Sequence, residues 1–273
     1  SFNENNVLVG RKEWANYKID EYINRIQEDD EERSRVHTQF IRDLAKWADS
    51  FELEKEQIEQ IQFRVKGSNK YTNASLLTLG HAYKPACDFE KFHVDLDYLC
   101  DSYLTDDNID ILRNFFKKYT DIHYRFTKED IEYMDNREFA IYVWTAQFKA
   151  IPTIFTQWIQ DGEFDGQTCV PTATSVKAPE ELYSPDIKDY VRYCNNSGDK
   201  IAAIDVARLE ERKSTFMQLP FKQRLDSQDC LSYLLKAQEK SVEETEHRRT
   251  IINWLLENND LTYDEVAEYR NSE

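Results

Sequence analysis

Glycine and proline are scarce in this chain, with six residues of each among 273. The turns of an all-β sandwich depend heavily on these two residue types, so their scarcity argues against that class. Hydrophobic residues make up 40% of the chain and aromatic residues 13%, which is enough to bury a core. We therefore expect long helices together with a modest sheet.

Apolar periodicity predicts where these elements lie. Helices are predicted at 11–60 in two or three pieces, 105–116, 186–194, 200–217, 226–239 and 241–258, with a capping box at Thr262–Glu265 opening one more. Strands are predicted at 62–66 and 91–99, with three or four antiparallel strands at 122–159.

The predicted fold class is therefore α+β, with a central mixed or antiparallel sheet flanked by N-terminal and C-terminal helices. We expect helices plus sheet at 1–160 and a loop or linker at 161–185, where Gly, Pro, Thr and Ser concentrate. A C-terminal helical region at 186–273 is expected to pack on the same body.

The stretch from Phe92 to Tyr98, Phe-His-Val-Asp-Leu-Asp-Tyr, alternates apolar and polar side chains. On a strand, residues two apart share a face, so His93, Asp95 and Asp97 would point the same way. Paired carboxylates on one face can hold a Mg²⁺ ion. The pattern makes Asp95 and Asp97 candidate metal ligands and candidate catalytic residues.

An upstream strand at 62–66 is expected to end at a Gly67-Ser68 turn, whose N–H groups could hold phosphate if the turn opens a helix. A Gly-Ser turn followed by Asp95-x-Asp97 resembles the nucleotidyltransferase superfamily, the DNA polymerase β-like fold, over roughly residues 35–148. The resemblance implies a nucleoside triphosphate at Gly67 and Ser68, Mg²⁺ at the two aspartates, and attack of a hydroxyl on the α-phosphorus. The acceptor would be a small nucleotide or a protein.

The sequence departs from that family in two places. Gly67 and Asp95 are 28 positions apart, a longer gap than the motif has. The strand expected to bring a third carboxylate carries Tyr142 instead, which leaves Asp205 or Glu138 as substitutes. The site is therefore either completed by one of these acids or catalytically degenerate.

Two Glu-x-x-His pairs suggest a remote alternative for the site. Glu90 and His93 form one pair, and Glu244 and His247 the other. Di-iron carboxylate bundles use two such pairs plus a Glu from each of two further helices, here Glu59 and Glu210. The di-iron hypothesis needs a helix at 87–99, whereas the nucleotidyltransferase hypothesis needs a strand at 91–99.

The formal charge of −17, from 52 acidic and 35 basic residues, restricts the partners. Such a surface repels phosphate backbones and anionic lipid, so general nucleic-acid or membrane binding is not expected. It suits a basic protein partner. An acidic, non-catalytic interaction or regulatory protein is therefore the alternative to the enzyme.

Cysteine usage and hydropathy predict the compartment. The five cysteines show irregular spacing and no CxxC pair, which is typical of reduced thiols. No stretch approaches the ~18 apolar residues of a membrane span, and the N-terminus lacks a signal pattern. We expect a cytoplasmic protein.

Overall fold

A computed structural model describes residues 30–51, 53, 55–84, 87–237 and 241–258, together with residues 13, 17–19, 21 and 22. Most of the helix predicted from residue 11, and the short helix predicted from Thr262, lie outside these residues. The chain divides into two compact units, Ser1–Phe126 and Thr127–Glu273.

The predicted fold class is wrong, because helices dominate and the described residues contain no central sheet. Their strands form two sheets of two strands each. The first pairs β1 (Gln62–Arg64) with β2 (Tyr71–Asn73), and the second pairs β3 (Val170–Pro171) with β4 (Val176–Lys177). Both pairs are antiparallel, with Phe63 opposite Thr72 and Val170 opposite Lys177.

The first unit packs helices against the β1–β2 hairpin. Its described residues include the helices α1 (Asp30–Phe51), α2 (Lys55–Ile58) and α3 (Ile109–Tyr119). Helix α1 buries Ile41, Leu44 and Ala48 at spacings of three and four, the pattern of an amphipathic helix. Phe116 of α3 meets Phe63 of β1 edge to face, with ring centroids 5.3 Å apart, so the hairpin and α3 share one core.

Residues 91–99 do not form the predicted strand. Glu90–Phe92 is a turn of 3₁₀ helix, and His93 follows in the left-handed region at φ 58°. Bridges form at the end of the segment, where Leu99 pairs with Val65 and Tyr98 with Thr78. Burial nevertheless alternates along the segment, because its apolar side chains are buried or half-buried while His93, Asp95 and Asp97 are exposed.

The second unit begins with helices where three or four strands were predicted. It starts with a 3₁₀ helix (Lys128–Asp135), followed by α4 (Arg137–Tyr142), a π-helical turn (Val143–Gln147), α5 (Phe148–Ala150) and α6 (Pro152–Gln160). The side chain of Asn136 caps α4 by accepting a hydrogen bond from Phe139 N, and Pro152 occupies the first position of α6. The strand prediction at 122–159 is therefore wrong.

The segment was predicted as strands because of its aromatic residues, which pack around Trp144. The side chain of Trp144 is fully buried. Its ring lies 5.0–5.7 Å from the rings of four phenylalanines, Phe148, Phe155, Phe164 and Phe216. The helices here are amphipathic, since they bury Phe148 and Phe155 and leave Lys149 exposed. Their aromatic and β-branched residues imitate the composition of a strand.

The predicted linker at 161–185 contributes to the core of the second unit. It contains β3 and β4, and Cys169, Leu182 and Tyr183 within it are buried. The remaining helices are α7 (Lys188–Val191), α8 (Lys213–Phe216), α9 (Ser227–Lys236) and α10 (Val242–Asn258). The helices predicted at 226–239 and 241–258 are confirmed by α9 and α10.

Candidate functional site

The Gly67-Ser68 turn joins β1 to β2 and does not open a helix. Gly67 adopts φ +71°, a conformation that glycine accepts without steric cost. Ser68 N donates to Val65 O at 3.3 Å, and Ser68 Oγ accepts from Lys70 N at 2.8 Å. The amide and hydroxyl of Ser68 therefore hold the hairpin turn in shape.

The fold brings this turn next to Asp97, although no strand carries that residue. Lys66 N donates to Tyr98 O at 2.7 Å, which ties the start of the turn to the 97–99 segment. On the other side, Lys70 Nζ lies 3.4 Å from Asp97 Oδ2. Asp95 and Asp97 are both exposed, so the four predicted residues lie on two neighbouring surface segments of the first unit.

These residues fit Mg²⁺ poorly. The described residues contain no group of three or more His, Cys, Asp or Glu side chains placed to hold a metal ion. The ammonium of Lys70 competes for the Asp97 carboxylate. Of the substitutes for a third acid, Glu138 is exposed on α4 and Asp205 accepts a hydrogen bond from Ala207 N. Tyr142, also on α4, accepts one from Gln147.

A network of charged side chains lies beside the turn, centred on Lys66. Its ammonium is 2.5 Å from Glu90 Oε1 and 2.5 Å from Asp101 Oδ2. Burial alone would raise the pKa of Glu90, but the hydrogen bonds from Lys66 and from the His81 N–H outweigh it and lower that pKa. A Cβ on Gly80 would lie 2.5 Å from Glu90 Oε2, so glycine there permits the close approach of the carboxylate.

The di-iron ligands are not assembled. Glu90 and His93 lie on a 3₁₀ turn rather than on a helix, and Glu90 is bound by Lys66. Glu59 lines an open pocket of about 390 Å³. In the second unit, Glu244 accepts hydrogen bonds from Arg192 and Tyr193.

Sequence reasoning missed a buried polar contact behind the hairpin, between His37 of α1 and Tyr103. His37 is 1% exposed, and its Nε2 lies 2.7 Å from Tyr103 Oη. The same hydroxyl accepts a hydrogen bond from Arg64 N of β1 at 2.8 Å. Burial, assisted by the charge of Arg64, lowers the pKa of His37 to about 3. No motif marks this pair in the sequence.

The apolar stripe predicted on the last helix is divided between core and surface. Ile251 is fully buried, whereas Val242, Ile252 and Leu256 are exposed. Composition alone could not separate them, because all are large and apolar.

The described residues thus define a helix-dominated protein of two compact units, with a hairpin turn beside exposed carboxylates in the first. Comparison of the chain with protein families, curated proteins and solved structures finds no match. Within the described part of the chain, none of the helices combines the length and apolar character needed to cross a bilayer.

Proposed function

We propose that this chain is an acidic, non-catalytic interaction protein that binds a basic protein partner. The observation that carries the proposal is the formal charge of −17. A surface with such an excess of carboxylates attracts positively charged partners over roughly one Debye length, about 10 Å at moderate salt. The same charge opposes binding to nucleic acids and to anionic membranes.

The surroundings of Lys128 in the second unit support this proposal. Its ammonium lies 2.5 Å from Glu163 Oε1, and Glu129 and Asp161 also act on it. The hydrogen bond to Glu163, followed by these nearby charges, raises the pKa of Lys128. Three carboxylates of the second unit thus act on this one lysine.

Affinity purification of the full chain at about 150 mM salt tests the proposal. We expect a basic protein in stoichiometric amount, released as the salt concentration is raised. Asp95→Ala and Asp97→Ala are expected to leave its recovery unchanged. Recovery of no stoichiometric partner, or of one whose retention does not respond to salt, would contradict the proposal.

Nucleotide binding, with or without nucleotidyl transfer, is a second candidate. It is favoured by one observation, the placement of the Gly67-Ser68 turn beside Asp97 through the Lys66–Tyr98 and Lys70–Asp97 contacts. Isothermal titration calorimetry with each nucleoside triphosphate and Mg²⁺ tests it. Binding should depend on Mg²⁺ and be lost in Asp95→Ala and Asp97→Ala, and absence of heat with all nucleotides would exclude this candidate.

We also propose that the protein acts in the cytoplasm. The five cysteines all lie within the described residues and form no disulfide, which suits a reducing compartment. Fractionation of cells that express the tagged protein tests this placement, and recovery from an oxidising compartment would contradict it.

A further inference from the structure

An open pocket of about 390 Å³ lies in the first unit, where three segments of the chain meet. The end of helix α2, the 3₁₀ turn at Ala74–Leu76 and the end of helix α3 each contribute to its wall. We call it the α2–α3 pocket. Its volume lies within the range of pockets that bind small organic groups, about 300–1,000 Å³.

The base of the pocket is apolar and its rim is polar. Ile58 is fully buried and Ala74 is 7% exposed, so both lie at the base. The exposed lining residues are all polar, namely Glu59, Asn73, Ser75 and Asp121. A pocket of this kind suits a group that has an apolar stem and a polar end.

The polar groups of the rim are available to a ligand. Within the described part of the chain, the side chains of Glu59, Asn73 and Ser75 make no hydrogen bond or ion pair. Asp121 binds Lys55 through Oδ1, which leaves Oδ2 available. These four side chains present carboxylate, amide and hydroxyl oxygens, all of which accept hydrogen bonds.

The charge of the pocket favours a cation. Lys55 neutralises Asp121, one of the two lining carboxylates, so the negative charge of Glu59 remains. The hydrogen bond to Asp121, followed by the nearby charges of Glu59 and Glu56, raises the pKa of Lys55. The surroundings of the pocket are therefore negative even with Lys55 in place.

The lysines nearest in sequence are held by other groups. The last turn of α3 carries Lys117 and Lys118. Lys118 pairs with Asp49 of α1 at 2.5 Å, and Lys117 lies 5.0 Å from the ring centroid of Tyr124. Neither lysine lines the pocket, so α3 does not neutralise the remaining carboxylate.

We infer that the α2–α3 pocket binds an arginine side chain of the basic partner protein. The methylene stem would lie on Ile58 and Ala74, and the guanidinium would donate to the acceptors around Glu59. A guanidinium has five N–H donors and one charge, which matches several acceptors around a single unpaired carboxylate. This inference rests on the proposed function and names a site through which it acts.

NMR titration of the isotope-labelled full chain with N-acetyl-arginine-N′-methylamide tests the site. The backbone amide signals of Glu59, Ser75 and Asp121 should shift in a saturable manner, with a Kd of about 1–10 mM for a single side chain. The citrulline counterpart has the same shape without the charge and should bind about fivefold more weakly or worse. Absence of these shifts, or equal binding of the two probes, would overturn the inference.

Glu59→Gln removes the unpaired carboxylate and keeps the size of the side chain. It should weaken binding of the arginine probe about fivefold or more. Glu56→Gln is the matched control, because Glu56 is exposed on α2, does not line the pocket and loses the same charge. This variant should bind within about twofold of the unmodified chain. Equal weakening in both variants would indicate general charge attraction and overturn the inference.

A steric variant tests the position without any change of charge. Ser75→Phe places a ring in the pocket, and the fold should tolerate it because Ser75 is exposed. We expect this variant to lose binding of the arginine probe. Unchanged binding would place the probe elsewhere on the protein and overturn the inference.

Two further measurements separate the source of the guanidinium and the proposed function. Free arginine carries its own carboxylate, so it should bind more weakly than the blocked probe. Tighter binding of free arginine would assign the pocket to a small molecule and overturn the inference. In affinity purification, Glu59→Gln should recover less of the basic partner than Glu56→Gln does. Equal recovery would overturn the inference and leave the proposed function intact, whereas recovery of no basic protein by the unmodified chain would contradict both.

Discussion

At the scale of single residues, three polar side chains near the predicted site have partners within the fold. Ser68 maintains the hairpin turn, Asp97 pairs with Lys70, and Glu90 binds both Lys66 and the His81 N–H. The contribution of each contact to the free energy of unfolding can be measured by substituting the residue. His37 differs from them, because it is buried as a neutral base and its Nδ1 has no hydrogen-bond partner.

Lowering the pH should destabilise the protein through His37. The folded residue stays neutral down to its pKa of about 3, whereas the unfolded one takes up a proton near 6.5. The unfolded state binds more protons between these values, so stability is lost as the pH falls below 6.5. The loss at pH 5 is about 2 kcal/mol.

Urea unfolding of the unmodified chain and of His37→Gln, at about pH 7.5 and about pH 5, measures this effect. The carboxylates titrate in both proteins, so their contribution cancels in the comparison. The variant should lose about 2 kcal/mol less than the unmodified chain on acidification. If both proteins lost the same stability on acidification, His37 would not be held neutral in the folded state.

Gly80 should couple energetically to Glu90. In Gly80→Ala the new Cβ would displace the Glu90 carboxylate and break its hydrogen bond from the His81 N–H, at a cost of about 1 kcal/mol. In a Glu90→Ala background the same substitution should be neutral or slightly stabilising, because the backbone of Gly80 at φ −73° suits alanine. A double-mutant cycle with no coupling would contradict the contact.

At the scale of elements, sequence patterns predicted several amphipathic helices correctly and failed at 139–158 and at 200–217, where only Lys213–Phe216 is α-helical. Leu112 and Phe116 of α3 and the limits of α9 and α10 follow from helical periodicity. The run 139–158 was missed although it is amphipathic, with Phe148 and Phe155 buried and Lys149 exposed. Its aromatic and β-branched composition is typical of a strand. The local pattern cannot show contacts such as that of Trp144 with Phe216, because they depend on the folded chain.

The candidate site was predictable to a similar extent. Gly67 is the residue that a turn with positive φ needs, so the turn was recognisable from the sequence. Its placement beside Asp97 depends on the long-range bridge between Val65 and Leu99. The exposure of Asp95 and Asp97 follows the alternation in the sequence, whereas the left-handed turn at His93, which replaces the predicted strand, was not predictable from it.

The α9–α10 hairpin should depend on Arg248. Its Nη1 donates to Ala237 O at 2.8 Å and to Leu234 O at 3.3 Å, which satisfies carbonyls that the end of α9 leaves exposed. Arg248→Ala should cost about 1–2 kcal/mol in urea unfolding. Arg249→Ala is the control, since it makes the same charge change at an exposed position and should stay within about 0.5 kcal/mol. Equal losses would assign the effect to charge alone.

At the scale of the whole molecule, the dominant feature is the excess of negative charge. Exposed ion pairs such as Lys128–Glu163 and Lys118–Asp49 are each worth little at the surface. Seventeen uncompensated negative charges repel one another throughout the folded chain, and unfolding relieves part of that repulsion. The negative charge that would attract a basic partner therefore also lowers the stability of the protein when it is alone.

Added salt should consequently stabilise the protein at neutral pH. Raising NaCl from about 20 to about 300 mM shortens the screening length and weakens the repulsion more than it weakens the few surface pairs. We expect a gain of about 1 kcal/mol, which corresponds to a rise in Tm of about 3 °C, measured by differential scanning calorimetry. The control is the same series near pH 4.8, the isoelectric point of the sequence, where the net charge vanishes and the rise should disappear. A rise of equal size at both pH values would show that salt acts through the hydrophobic effect and not through charge repulsion.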